Sequence, residues 1–253
     1  MIRRTLVALG LLALTACVTP PPAPDNGAQV AIAAAILDTS RPAEDTARDA
    51  ARKPALLLSF AGVKPGMLVG EMFPGGGYFT RLLSTTVGPN GRVIALVPAD
   101  TAARNPRQID PVRAIAAMPT YSNVTVETPN GTPTPSILVD LIWTTENYHD
   151  IHAFSGAEAA ATVNKAVFGA LKPGGVYLVA DHSAQAGSGT RDCKTLHRID
   201  IATVKQEVLA AGFVLDGESD MLANAADART LLVFDPAIRG HTDQFVLRFR
   251  KPG

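Results

Sequence analysis

Short apolar runs rich in β-forming residues take turns with longer helical stretches from Gln29 onward, and that alternation narrows the fold more than any other property of this chain. Parallel strands cannot be joined by a tight hairpin. Each pair needs a crossover of a dozen or more residues, usually a helix. The pattern therefore predicts one α/β domain with a mostly parallel sheet. Strands are expected over 67–72, 92–97, 124–127, 137–144 and 176–180, and helices over 54–61, 78–87, 106–118, 155–171 and 201–211. A further helix opens at Ser40-Arg41-Pro42, with a capping hydroxyl and a proline in its first turn. Runs over 213–218 and 244–250, the second with Phe245, Leu247 and Phe249 on one face, predict an antiparallel C-terminal edge. Gly62-Val63-Lys64-Pro65-Gly66 and Leu171-Lys172-Pro173-Gly174-Gly175 echo each other before two strands and read as helix stops.

With 253 residues, 47% of them hydrophobic, a chain of this kind buries about 70% of the surface it exposes when unfolded. It needs no disulfide. The cysteines, Cys17 and Cys193, are far apart and differently flanked, which excludes a disulfide framework or a cluster of closely spaced thiolates around zinc. The first residues form an address. Arg3 and Arg4 precede an apolar run over 6–14 that is too short to span a bilayer, and Leu14-Thr15-Ala16-Cys17 follows directly. Those four residues resemble the lipobox of bacterial lipoproteins. The resemblance implies that Cys17 is the lipidated mature N-terminus and, with Val18 rather than an acid after it, that the protein sits on the outer membrane facing the periplasm. Residues 1–16 are then a signal peptide, 17–40 a proline-rich linker and the start of the N-terminal helices, and 41–253 the α/β domain. Losing Arg3 and Arg4 leaves 21 basic against 23 acidic side chains, a net charge of −2. Such a surface does not attract nucleic acid, so the expected partner is a small molecule.

The most informative segment is Leu68-Val69-Gly70-Glu71-Met72-Phe73-Pro74-Gly75-Gly76-Gly77-Tyr78-Phe79-Thr80: an apolar strand, a glycine cluster and a helix. Glycines allow a ligand to approach the backbone, the helix start offers free N–H groups, and a carboxylate at the strand end can accept from hydroxyl or ammonium donors. Tight packing of helix on strand uses glycine too, so the segment alone is weak evidence for a ligand.

The run from Glu71 to Gly77 resembles the acid-x-x-x-Gly-x-Gly motif of class I S-adenosylmethionine-dependent methyltransferases, and Leu171-Lys172-Pro173-Gly174-Gly175 is similar to the turn before their fifth strand. More narrowly, Pro74-Gly75-Gly76-Gly77-Tyr78-Phe79-Thr80, Tyr148-His149-Asp150, Asp181-His182, the run from Thr195 to Asp200 and that from Phe234 to Gly240 resemble a group of bacterial methyltransferase-like proteins, some of them exported. The resemblance implies a Rossmann-like three-layer sandwich, S-adenosylmethionine as cofactor, and Glu71, Gly75 and Gly77 around its methionine end. The sequence departs from the motif at Phe73, which replaces its first glycine, and at Val97, where an acid usually binds the ribose; Asp100 is the nearest substitute.

All five histidines, at 149, 152, 182, 197 and 241, lie in the second half of the chain. His149, Asp181, His182 and His197 are the candidate catalytic residues, because loops after parallel strands emerge on one edge of a sheet and a histidine there can take a proton from a hydroxyl, amine or thiol acceptor. Each of the histidines also reads as one that holds a neighbouring carboxylate or backbone group in place. No metal ligand set is predicted, since His149-Asp150-Ile151-His152 matches no specific metal spacing. Three readings stand: a lipid-anchored methyltransferase for a small acceptor, a degenerate Rossmann-like binding module, and a metal-dependent periplasmic enzyme.

Overall fold

The structure, a computed structural model, describes residues 26–253. The expected signal peptide, Cys17 and the proline-rich stretch after it lie outside the described residues. Among these, no helix is long and apolar enough to cross a membrane.

In chain order the strands are β1 (Leu68–Met72), β2 (Arg92–Leu96), β3 (Val124–Glu127), β4 (Val139–Thr145), β5 (Leu171–His182), β6 (Val214–Ser219) and β7 (Gln244–Arg250). They form one seven-stranded sheet in the order β3-β2-β1-β4-β5-β7-β6. The first five run parallel, whereas β7 is antiparallel to both β5 and β6, as the alternation and the two terminal runs predict. The chain moves outward from β1 through β2 to β3 and then returns to place β4 on the other side of β1. Beyond the carboxyl ends of β1 and β4 the connections therefore diverge and leave a crevice.

The helices are α1 (Asn26–Ile36), α2 (Ala43–Thr46), α3 (Asp49–Arg52), α4 (Pro54–Ala61), α5 (Tyr78–Val87), α6 (Ala99–Arg104), α7 (Asp110–Ala116), α8 (Tyr148–Ala170), α9 (Cys193–Leu196) and α10 (Ile201–Ala210). One face of the sheet packs Val69, Trp143 and Leu178 against Leu58 of α4, Leu82 and Leu83 of α5 and Ile115 of α7. The other packs Ile94, Ile142 and Val179 against Val163 and Val167 of α8 and Val204 and Val208 of α10. The central strands are buried on both faces, which is why they read as continuous apolar runs rather than alternating ones.

Four local expectations change. Ser40 does not cap a helix: α2 starts at Ala43 behind Pro42, and the Ser40 hydroxyl donates instead to Asp38 Oδ1 at 2.7 Å. The helix expected over 106–118 is a single 3₁₀ turn, Pro106–Gln108, followed by α7. The turn before the fifth strand belongs to the strand, which begins at Leu171 and bulges before rejoining β4 at Val176. The long helix starts seven residues early, at Tyr148, and breaks at Gly156, where φ is 81°. That last shift moves His149 and His152 from a loop onto the first turns of α8.

Candidate active site

The site is built on the crevice between β1 and β4. Glu71, the penultimate residue of β1, is buried at 3% exposure and accepts from the Thr80 hydroxyl of α5 at 2.6 Å. Burial pushes its carboxyl up to about 7, and the hydrogen bond with Thr80 and the charges of Arg52 and Arg81 only partly oppose this. Phe73 adopts φ 49°, the left-handed conformation for which glycine is favoured. Its carbonyl accepts from Asn147, just beyond β4, at 3.3 Å, which ties the two diverging connections together.

The glycines divide their work. A Cβ at Gly75 or Gly76 would meet no atom within 4 Å, whereas at Gly77, with φ 79°, it would lie 2.1 Å from Cδ1 of Ile115. Gly75 and Gly76 thus line the crevice, while Gly77 lets α5 and α7 pack. The family resemblance implies Gly77 at the ligand; a side chain there would meet Ile115, and the glycines in the cavity lining are Gly75 and Gly76, the second of which the resemblance leaves unassigned.

Three cavities run along the carboxyl edge of the sheet. The central one, about 150 Å³, is lined by Glu71, Gly75, Gly76, Arg48, Arg52 and Glu146. The largest, about 620 Å³, shares Phe73 and Asn147 with it and is walled by Pro98, Asp100, Asp150 and Phe154. The third, about 270 Å³, shares Arg48, Arg52 and Glu146 with the first and is bounded by His182, Phe234 and Arg239. Arg48 and Arg52 come from the short helical segments before the sheet, and their guanidinium groups lie 4.9 and 4.8 Å from the Tyr78 ring centre. Arg52 also pairs with Glu146. Sequence reading missed Arg48, Arg52 and Glu146. Only the four-residue spacing of the two arginines hints at a shared helical face, and nothing in the sequence aims that face at the glycine loop.

Asp100 lines the largest cavity, but it is exposed, accepts from the Thr101 N–H at 2.8 Å and pairs with Arg104 at 2.9 Å. Val97 is buried at 1% in the core face that also holds Val93. The polar groups that could meet a ribose are therefore fewer at this end of the crevice than the motif leads one to expect.

The structure brings the four candidate catalytic residues together, although in different settings. Asp181 is fully buried at the end of β5. Its Oδ2 accepts the His149 backbone N–H at 2.8 Å, and its Oδ1 accepts the His182 N–H and contacts His149 Nδ1, both at 2.7 Å. Burial opposes a positive charge on His149, but Asp181 and Asp150 outweigh it and push its pKa up to about 10; in turn His149 holds Asp181 below the usual carboxylate range despite burial. His149 Nε2 lies 3.1 Å from His197 Nδ1, and the His197 ring packs on Phe234. His182 stands apart, its ring 6.0 Å from that of His149 and its Nδ1 2.8 Å from the Thr242 hydroxyl, and it lines the third cavity. Burial pulls its pKa below the ordinary imidazole value. His152 bonds to Glu207 at 2.9 Å, away from the cavities. Burial also pushes the Cys193 thiol up to about 12, which leaves no thiolate for nucleophilic use.

Strand order, the antiparallel seventh strand and a glycine turn after the first strand together define the class: the fold is that of class I S-adenosylmethionine-dependent methyltransferases. Solved structures bear this out. A methyltransferase from Aquifex aeolicus superposes with a TM-score of 0.57 at 18% identity, covering 85% of this chain and 96% of that one. The Haloferax volcanii protein complexed with the Trm112 methyltransferase activator gives 0.57 at 16% identity, covering 88% and 98%. The [4+2]-cyclase SpnF also matches, at 0.57 and 16% identity over 83% and 81%. No family model matches the sequence, and no curated protein does. The likeness is one of fold, and a fold that also carries a cyclase does not by itself settle the reaction.

Proposed function

We propose that this protein is an S-adenosylmethionine-dependent methyltransferase for a small acceptor, held at a membrane by lipid on Cys17. The observation that carries the reading is the cradle at Gly75 and Gly76: backbone open to a cavity, at the crevice of the sheet, with the buried carboxylate of Glu71 beside it. When bound, S-adenosylmethionine supplies an electrophilic methyl group on a sulfonium. Glu71 accepts from its ammonium, Arg48 and Arg52 offer donors to its carboxylate, and Asp100 accepts from the ribose at the wall of the largest cavity. His182 takes the acceptor's proton from the third cavity. The buried Val97 and the Asp100–Arg104 pair favour one rival, a binding module that retains the fold with another ligand.

Calorimetry and thermal unfolding with S-adenosylmethionine and S-adenosylhomocysteine separate these. At 100 times its dissociation constant, a ligand that binds only the native state stabilises it by about 2.7 kcal/mol. Gly76→Leu is expected to abolish binding with little loss of stability, because its side chain would enter the open cradle and Gly76 does not need positive φ. Gly77→Val is expected to destabilise the fold itself. If neither compound stabilises the protein, the methyltransferase reading fails; binding without transfer to any of a panel of hydroxyl, amine and thiol acceptors would favour the module.

A further inference from the structure

The geometry points to a divalent transition-metal site formed by His149, Asp150 and His197. Three donor atoms converge there at nearly equal separations. His149 Nε2 lies 3.1 Å from Asp150 Oδ1 and 3.1 Å from His197 Nδ1, and His197 Nδ1 lies 3.2 Å from Asp150 Oδ1. An ion about 2.1 Å from each of three atoms so spaced would subtend angles of about 95°, within the range of octahedral and distorted tetrahedral coordination. Two imidazoles and one carboxylate suit zinc or ferrous iron, whereas calcium and magnesium prefer oxygen donors.

Two further observations support an ion. Asp150 Oδ1 is shielded from solvent and makes no well-directed hydrogen bond, although two ring nitrogens stand within 3.2 Å. A buried acceptor left in this way needs a positive charge close by, and an ion between the three atoms would supply it to Asp150 Oδ1 directly. Behind the site, Asp181 holds His149 by Nδ1 at 2.7 Å, which fixes the ring with Nε2 toward the other two donors; a carboxylate in this position is a recurrent support for metal-binding histidines. An ion there takes the place of the proton on His149 Nε2. The three ligands occupy one side of the ion only, and Asp150, one of them, also borders the largest cavity.

The inference does not depend on methyl transfer, since its readout is metal binding without S-adenosylmethionine. The test uses the full chain in detergent, stripped with a chelator and titrated with Zn²⁺ by calorimetry and with Co²⁺ by visible absorption. One equivalent is expected to bind, with ligand-field bands of bound Co²⁺. Substitution of His149 would strand the buried Asp181 and risk misfolding, so Asp150→Asn and His197→Asn are the informative variants. Each is expected to weaken Zn²⁺ binding at least tenfold, while His152→Asn, outside the triad, leaves it unchanged. Absence of stoichiometric binding by the folded wild-type chain, or equal affinity in both triad variants with native circular dichroism, would overturn the assignment.

Discussion

Glu71 shows how a single residue sets the conditions for binding. Its neutral form is favoured in the ligand-free fold, because burial raises the carboxyl from 4.5 to about 7. The native state therefore binds more protons than the unfolded chain between those values, and stability falls as pH rises through that window, by about 3 kcal/mol in full above it. A cationic ligand reverses the preference. If Glu71 accepts from the ammonium of S-adenosylmethionine, affinity is expected to drop as pH is lowered from 7 to 5, by up to about tenfold per unit. Calorimetry at several pH values checks this, with Glu71→Gln expected to bind more weakly and to flatten the profile. An unchanged slope in the variant would place the cation elsewhere. Phe73 is the complementary case: the sequence marks it as a departure from a glycine, yet the backbone keeps glycine's conformation, φ 49°, because the crevice geometry and the Asn147 tie require it.

At the scale of elements, the segment between β6 and β7 is the one least explained by its own sequence. It contains no helix or strand, and yet it supplies Phe234 and Arg239 to a cavity. What fixes it is Arg198, fully buried, whose guanidinium donates to the carbonyls of Leu231 and Ser183 and pairs with Asp227 at 2.8 Å. Asp227 in turn accepts from the Asp243 N–H at 2.7 Å. Removing one partner of a buried pair costs about 3 to 5 kcal/mol, since the other charge is left desolvated and unmatched. Arg198→Met is accordingly expected to lower stability by about that amount and to open the segment to proteolysis, as denaturant unfolding and limited digestion would show. Stability reduced by less than about 1 kcal/mol would mean that the segment is held from elsewhere. α8 carries the same lesson in reverse: its early start places His149 on a helix whose N–H reaches Asp181, a contact between β5 and α8 that periodicity alone does not reveal.

For the molecule as a whole, the proposed lipid on Cys17 would decide where this chemistry happens. Cys17→Ala is expected to shift the protein from the membrane to the soluble fraction of its native host, and mass spectrometry of the wild type is expected to find acyl groups on Cys17. An unprocessed, unacylated N-terminus would remove the lipid anchor from the proposal. Several acyl chains hold a protein stably where one does so only reversibly, so partial release of the wild type would point to single acylation.

The order of strands and helices, the sheet's parallel centre and its antiparallel edge were legible in the sequence because buried parallel strands must be apolar throughout and must be joined by helices. Glu71 and the glycine turn were legible for the same local reason: a strand must end and a helix begin there. The tertiary structure alone decided which glycines face the cavity and which faces Ile115. It alone carried Arg48 and Arg52 over the crevice and closed His149, Asp150 and His197 into a triangle. These contacts join residues distant in the chain, 48 positions for His149 and His197, or turn on which way a side chain points. Neither is recorded by local propensity, because both depend on how layers stack after the elements have formed.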